Sequence, residues 1–242
     1  MGQIKPQMPL GLSSGIIEYP NAIDAEVCNE LVLHLAQDFD KLFEPGPTIG
    51  GYMPSMKKSM DTSFMNPDQY NRDAMPYFNI YQKIDLIIYD ALWSCISDYI
   101  QRYTHLWPMP ECTTTGFRVQ RYFKNYGYYR EHCDGMPWDS DFDGSGNIRI
   151  LAAVIYLNTV KDGGGTHFPL HEYTSHAEVG KIVLFPTTWQ YPHLGTVPYS
   201  EDKWIISSFI NTKRMDLNKQ PEMPAENIFV EPSIKKNDKS NK

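Results

Sequence analysis

Two amphipathic helical segments followed by a series of short β-rich runs predict an α+β domain that is mainly β. The helical patterns lie before residue 105, and the β-rich runs begin after Pro108 and Pro110. This order favours a sheet sandwich or barrel with helices packed on one side. The chain has 242 residues, of which 41% are hydrophobic. It is therefore long enough to bury a core as one large domain or two small ones.

The first half of the chain carries two helical patterns. Asp24 is a suitable N-cap for a helix that extends to about Phe43, because apolar residues recur there at three-to-four spacing. Proline and glycine residues then predict a loop from Pro45 to Pro54. The segment from Tyr77 to Tyr103 presents one apolar face and predicts a long supporting helix, with the apolar positions Ile84, Ile87, Ile88, Leu92, Ile96 and Ile100.

The second half is predicted to be a strand core. Four runs are rich in β-branched and aromatic residues, namely Thr113–Phe123, Ile148–Asn158, Lys181–Phe185 and Lys203–Ile210. We therefore expect a single domain over residues 1–212, with helical support at about 20–105 and a β core at about 113–211. Residues 213–242 are polar and rich in lysine, which predicts a C-terminal tail.

Composition excludes several classes of function. The net charge of −7 disfavours nucleic acid as a partner, because a phosphate backbone would be repelled. No apolar run approaches the roughly 18 residues of a membrane span, and the N-terminus lacks a signal-peptide pattern. The four cysteines form no CxxC pair, which argues against a zinc knuckle or a redox dithiol. We expect a cytoplasmic protein that does not bind membranes.

Two metal-capable side chains occur at His132 and Asp134. On a strand, positions two apart point to the same face, so both could bind one ion while Cys133 faces away. This pair alone is a weak signal, because with seven histidines and 29 acidic residues about one such pair is expected by chance. The surroundings add weight, since His193 follows 59 residues after Asp134 and Lys203 another 10 residues on. Two histidines and one carboxylate on strands form the facial arrangement typical of ferrous iron sites with open positions.

Five motifs in order resemble those of iron(II)- and 2-oxoglutarate-dependent oxygenases of the prolyl 4-hydroxylase type. They cover about residues 113–211 and read H-C-D (132–134), A-V-I-Y-L-N (153–158), G-G-G-T-H-F-P (163–169), G-K-I-V-L-F-P (180–186) and P-H-L-G-T-V-P-Y-S-E-D-K-W (192–204). The resemblance implies a double-stranded β-helix, which is a jelly-roll or cupin-like core, with N-terminal supporting helices. It also implies a single oxygenase domain.

The same resemblance implies the site residues and the cofactors. Iron(II) would be held by His132, Asp134 and His193, and O2 would use a remaining position on the metal. The far carboxylate of 2-oxoglutarate would pair with Lys203. Ser207, Tyr156 and Tyr122 are the further residues that we expect near the co-substrate, and ascorbate is a candidate additional cofactor.

The predicted activity is hydroxylation of a C–H bond, with decarboxylation of 2-oxoglutarate to succinate and CO2. By resemblance, the favoured substrate is a prolyl residue of a protein or peptide, or free proline. Two alternatives stay open at this point. One is an oxygenase of the same fold that acts on another amino acid, a nucleobase or a small metabolite, and the other is a non-catalytic barrel that only binds ligands. An acidic run at Asp139–Asp143 is expected at the rim, where it would favour a basic substrate.

Overall fold

The computed structural model describes residues 5–48, 50–64, 78–103, 112–135 and 147–213. Helices in the first half pack against strands from the second half. The helices are α1 (Ala25–Gln37), α2 (Phe39–Leu42) and α3 (Phe78–Tyr103), with short 3-10 helices at Leu12–Ser14 and Pro169–His171. Within the described ranges, no helix is long and apolar enough to cross a membrane.

Strands of two antiparallel sheets make up the rest of the described chain. They are β1 (Ile17–Tyr19), β2 (Glu44–Pro45), β3 (Lys57–Lys58), β4 (Met60–Phe64), β5 (Cys112–Thr114), β6 (Phe117–Tyr122), β7 (Tyr128–His132), β8 (Asn147–Tyr156), β9 (Thr166–Phe168), β10 (Tyr173–Ser175), β11 (Ile182–Pro186), β12 (His193–Gly195) and β13 (Lys203–Lys213). The larger sheet has the order β1-β11-β8-β13-β6-β4-β2, and β5 pairs with β13. The smaller sheet has the order β10-β9-β12-β7-β3.

Two hydrophobic clusters hold these layers together. The first lies between the helices and one face of the larger sheet, and joins residues such as Leu31, Leu92 and Ile206. The second lies on the opposite face, between the two sheets, and includes Phe168 and Phe185. The alternation along each strand explains this division, because successive side chains point to opposite faces. The inner face of the larger sheet is therefore directed toward the smaller sheet.

Both predicted helices are present, but the first is interrupted. Asp24 caps α1 by accepting a hydrogen bond from the backbone N–H of Glu26 at 2.9 Å. The predicted continuous helix to Phe43 is wrong, because Asp38 leaves the helical conformation and separates α1 from α2. The long supporting helix is confirmed as α3.

The strand predictions are confirmed in position but not in every boundary. The expected run Thr113–Phe123 is divided into β5 and β6, because Gly116 adopts a left-handed conformation with φ of 81°. Strands β3 and β4 were not predicted. They follow the loop at 45–54: β3 forms the edge of the smaller sheet beside β7, and β4 lies between β6 and β2 in the larger sheet. The acidic run at 139–143 and the tail beyond Lys213 lie outside the described residues.

Candidate metal and co-substrate site

The smaller sheet brings the two predicted histidines side by side. His193 at the start of β12 is the register partner of His132 at the end of β7. Asp134 lies two residues beyond the end of β7, so the turn after the strand, rather than the strand face, directs its carboxylate. The ligand atoms of the three side chains all lie within 4.8 Å of one another. The structure therefore assembles the predicted group from residues up to 61 positions apart in the chain.

Hydrogen bonds orient both imidazole rings toward Asp134. The Nδ1 atom of His132 lies 2.8 Å from the carbonyl oxygen of Arg130, and that of His193 lies 3.1 Å from the carbonyl oxygen of Tyr191. Donation from Nδ1 to a carbonyl leaves the lone pair on Nε2, which is the tautomer that binds a metal. The two Nε2 atoms lie 3.4 and 3.3 Å from the carboxylate oxygens of Asp134.

The charge states of these groups suit a divalent cation. Burial lowers the pKa of His193, so the ring favours its neutral, metal-binding form. Burial opposes ionisation of Asp134, but His193 and His132 outweigh it and hold the pKa of that carboxyl below its ordinary value. Two imidazoles and one carboxylate fit iron(II) and leave positions open for other ligands. Cys133 is not part of this group, and its thiol lies 3.9 Å from the carbonyl oxygen of Trp189.

Aromatic rings fix the position of the histidines. Tyr129 stacks on His132 with ring centroids 3.6 Å apart. Phe185 meets His193 edge-on at 4.8 Å, and Phe168 lies 5.8 Å away. These contacts restrict rotation of the two rings, so the Nε2 atoms stay directed at one point.

The predicted lysine faces the same cavity as the triad. Lys203 begins β13 and is only 2% exposed. The rings of Tyr122 and Tyr156 lie 5.2 and 5.6 Å from its ammonium nitrogen. Among the described residues no carboxylate pairs with this ammonium. Burial lowers the pKa of Lys203 to about 7, which shows how poorly the fold itself solvates the charge. A buried cation without a counter-ion is energetically costly, so an anion bound beside it would be favoured.

Two of the other predicted co-substrate residues belong to one hydrogen-bonded chain. The hydroxyl of Tyr122 donates to Gln120 at 2.8 Å, and the amide of Gln120 donates to Ser207 at 3.2 Å. All three residues line the cavity beside Lys203. Burial raises the pKa of Tyr122 well above its ordinary value, so the phenol stays protonated and donates its one proton to Gln120.

Tyr156 is placed differently from this chain. Its hydroxyl lies 2.8 Å from the hydroxyl of Thr166 and donates to the carbonyl oxygen of Ser175 at 3.1 Å. The side chain does not line the cavity, and its ring lies behind Lys203. In this structure Tyr156 supports the lysine, and its predicted contact with the co-substrate stays a prediction.

The cavity has a volume of about 680 Å³ and continues well beyond the triad. Phe209 lines it six positions along β13 from Lys203, which corresponds to about 20 Å of strand. The guanidinium of Arg149 lies 4.1 Å from the Phe209 ring and 3.4 Å from the carbonyl oxygen of Asp134. The cavity is therefore long enough for a second molecule beside one bound at Lys203.

Sequence reasoning missed several cavity residues. Gln120 and Arg118 precede Tyr122 at intervals of two on a predicted strand, so alternation would have placed them on its face. Lys57 comes from an unpredicted strand, and no local pattern indicates it. The neighbouring Arg121 is not a cavity residue. Its side chain points to the opposite face of β6, where a guanidinium nitrogen lies 2.7 Å from a carboxylate oxygen of Asp202.

Comparison with known proteins agrees with this geometry. Residues 117–211 match the model of the 2OG-Fe(II) oxygenase superfamily. A protein of Acanthamoeba polyphaga mimivirus named "Putative prolyl 4-hydroxylase" is 30% identical over 114 residues, which cover 40% of this chain and 45% of that protein. The chain thus spans less than half the length of this relative.

Solved prolyl hydroxylases share the fold. A viral collagen prolyl hydroxylase from Paramecium bursaria Chlorella virus-1, solved with 2OG, has a TM-score of 0.58 at 18% identity, covering 82% of this chain and 96% of that one. A prolyl hydroxylase from Trichoplax adhaerens, solved with a hypoxia inducible factor peptide, has a TM-score of 0.59 at 16% identity, with coverages of 82% and 84%. A Pseudomonas putida prolyl 4-hydroxylase has a TM-score of 0.52 at 16% identity, with coverages of 84% and 94%. The double-stranded β-helix fold and the resemblance of residues 117–211 to prolyl 4-hydroxylase-like oxygenases are confirmed.

Proposed function

We propose that this chain is an iron(II)- and 2-oxoglutarate-dependent oxygenase that hydroxylates prolyl residues. The observation that carries the proposal is the pairing of two sites in one cavity. The triad of His132, Asp134 and His193 offers three ligands on one side of a metal, and the unpaired ammonium of Lys203 faces the same cavity. Iron alone would not require such a lysine, whereas a dicarboxylate that also binds the metal would.

Each protein group then has a defined task. The triad would hold the iron, which together with 2-oxoglutarate and O2 supplies oxidative hydroxylation of a C–H bond with release of succinate and CO2. Lys203 would bind the far carboxylate of 2-oxoglutarate as a compact point charge. Tyr122 would lie at the same end, with its ring 5.2 Å from the lysine ammonium, and its hydroxyl would turn from Gln120 to donate to that carboxylate. The carbonyl oxygens of Arg130 and Tyr191 would keep both imidazoles in the metal-binding tautomer.

Two observations support a prolyl substrate within a peptide. The sequence relative and the solved structures of the same fold carry the name prolyl hydroxylase. The cavity also extends past the metal ligands toward Arg149 and Phe209, which leaves room for a second, larger molecule. The apolar ring of Phe209 lines this outer part, and the methionines Met53 and Met56 also line the cavity. Such a surface suits an uncharged pyrrolidine ring and its flanking backbone.

Mass spectrometry of the reaction products tests the proposal. The iron-loaded protein would be incubated in air with 2-oxoglutarate and a panel of proline-containing peptides, with free proline and the other free amino acids as further candidates. We expect a mass gain of one oxygen atom on proline, matched by formation of succinate. A peptide in which alanine replaces proline is the control and should stay unmodified. Succinate formed with another amino acid, or with a nucleobase, would move the activity to a different substrate class.

Further parts of the proposal concern a cofactor, the cellular location and the domain organisation. Ascorbate is a candidate reductant, and its role would be visible as slower loss of activity during turnover. A cytoplasmic location is supported by the four free cysteines, which would persist in a reducing compartment. We also include in the proposal that residues 1–212 act as one domain and that residues 213–242 are dispensable for its chemistry.

A further inference from the structure

A second buried lysine faces the cavity next to the proposed co-substrate position. Lys57 of β3 is 2% exposed and lines the cavity, as Lys203 does. Unlike Lys203, it is paired: its ammonium nitrogen lies 2.6 Å from a carboxylate oxygen of Asp61. The side chain of Asp61 is 5% exposed and does not line the cavity itself. The carboxylate therefore lies behind the lysine and neutralises it from the protein side.

The carboxylate of Asp61 is held firmly in this position. Its other oxygen accepts a hydrogen bond from the hydroxyl of Ser59 at 2.6 Å. The backbone of Gly46 packs closely against Asp61. A Cβ atom at this position would overlap the Ser59 hydroxyl and lie 2.5 Å from a carboxylate oxygen of Asp61. The guanidinium of Arg118 is more distant from Asp61, at 3.9 Å, and its side chain is 44% exposed at the cavity wall. The close partner of Asp61 is thus Lys57, and the geometry leaves little freedom to change it.

The paired and the unpaired lysine are neighbours across one aromatic residue. The ammonium of Lys57 lies 5.2 Å from the centre of the Tyr129 ring. Tyr129 is the register partner of both Lys57 and Gly195, and a Cβ atom placed on Gly195 would come within 3.8 Å of the Lys203 nitrogen. An anion bound at Lys203 would therefore lie close enough to sense the charge of Lys57.

We propose that Asp61 is a specificity-determining residue that cancels the charge of Lys57, so that the cavity presents one free ammonium to the far carboxylate of the co-substrate. This inference rests on the proposed function. With Asp61 in place, Lys203 is the unpaired one of the two lysines that line the described cavity. Without it, two ammonium groups would attract the same carboxylate. If the separation is taken as ~8 Å, a unit charge changes anion binding by about 2- to 30-fold for effective dielectric constants between 80 and 20.

The experiment compares two ligands that differ only in the far carboxylate. Calorimetric titrations of the protein loaded with Mn(II), at about pH 6, which is below the pKa of about 7 for Lys203, would measure binding of 2-oxoglutarate and of 2-oxopentanoate. The ratio of the two affinities isolates the contribution of the far carboxylate. We expect Asp61→Asn to raise this ratio about 2- to 30-fold, because it keeps the side-chain shape and removes the charge that neutralises Lys57.

The double variant K57M/D61N is the matched control and should return the ratio to the parent value. K57M alone leaves Asp61 without its partner and should lower the ratio, which gives a second test if D61N does not fold. Thermal unfolding checks the integrity of each variant. A ratio that is unchanged or lowered in D61N overturns the inference, as does a raised ratio that persists in the double variant. Failure of the parent protein to bind 2-oxoglutarate would instead reject the proposed function, so the two failures are distinguishable.

Discussion

Replacement of Lys203 by methionine should have opposite effects on the affinity for 2-oxoglutarate and on the stability of the ligand-free protein. Lys203→Met keeps the length and the apolar stem and removes only the ammonium. A hydrogen bond to a charged group contributes about 1.5–3 kcal/mol, and 1.4 kcal/mol corresponds to a factor of ten. We therefore expect the affinity for 2-oxoglutarate to fall by about 10- to 150-fold while metal binding changes little.

The same variant should make the ligand-free protein more stable. Lys203 has a pKa of about 7 in the fold, against 10.5 for a solvated lysine. Burial of the charge therefore costs the folded state at most roughly 5 kcal/mol. This cost is fully present below about pH 7 and disappears as the pH rises toward the unfolded value. At pH 7 or below, K203M should gain about 1–4 kcal/mol, because water in the cavity relieves part of the cost.

Calorimetric titration with 2-oxoglutarate and thermal denaturation without ligand would measure the two effects. Lys181 is the matched control, since it is equally buried but pairs with Glu18 and Glu178 and does not line the cavity. K181M should lower the melting temperature and leave the affinity for 2-oxoglutarate unchanged. If K203M binds 2-oxoglutarate as tightly as the parent, the lysine is not the anchor and the reasoning fails.

Four further outcomes follow from the site. Alanine at any of the three triad positions should abolish tight iron(II) binding while unfolding stays cooperative. Cys133→Ala should bind iron(II) as the parent does. Metal analysis after dialysis tests both expectations, and iron retained in a triad variant would contradict the assignment. Tyr156→Phe should lower the free energy of unfolding by about 1–2 kcal/mol with little change in 2-oxoglutarate affinity, because the hydroxyl forms its hydrogen bonds within the protein. A large loss of affinity would show that Tyr156 contacts 2-oxoglutarate directly. The affinity for 2-oxoglutarate should weaken as the pH rises above about 7, where Lys203 loses its proton. Calorimetry at several pH values would measure this change, and an affinity that does not depend on pH would argue against Lys203 as the anchor. Removal of residues 214–242 should leave a cooperatively folded, metal-binding core, since the described strands end at Lys213; a collapse of the melting temperature would show that the tail docks.

The strand core and the triad were accessible from sequence because their signals are local or ordered. Alternation of apolar residues marks the strands, and the motifs around His132, His193 and Lys203 appear in a fixed order along the chain. The structure places all three residues around one cavity, as predicted. Their roles toward iron and 2-oxoglutarate remain predictions, because ligation is a property of a complex.

The parts that sequence could not predict depend on distant partners. Lys57 and Asp61 lie on short strands whose partners, β7 and β6, are about 60–70 residues further along the chain. Charged residues at such spacing normally indicate a solvated surface, and only the tertiary fold buries them. The hydroxyl of Tyr156 is likewise engaged by Thr166, a contact across the barrel interior that no local pattern encodes. Helix α1 ends early for a local reason, the conformation of Asp38.

A crystal structure of the protein grown without oxygen in the presence of Mn(II) and 2-oxoglutarate tests the account most directly. We expect one metal ion bound by His132, Asp134 and His193, with the keto acid end of 2-oxoglutarate on the same ion. The far carboxylate should lie about 2.7–2.9 Å from the ammonium nitrogen of Lys203. A metal bound elsewhere, or 2-oxoglutarate bound with its far carboxylate away from Lys203, would contradict the account.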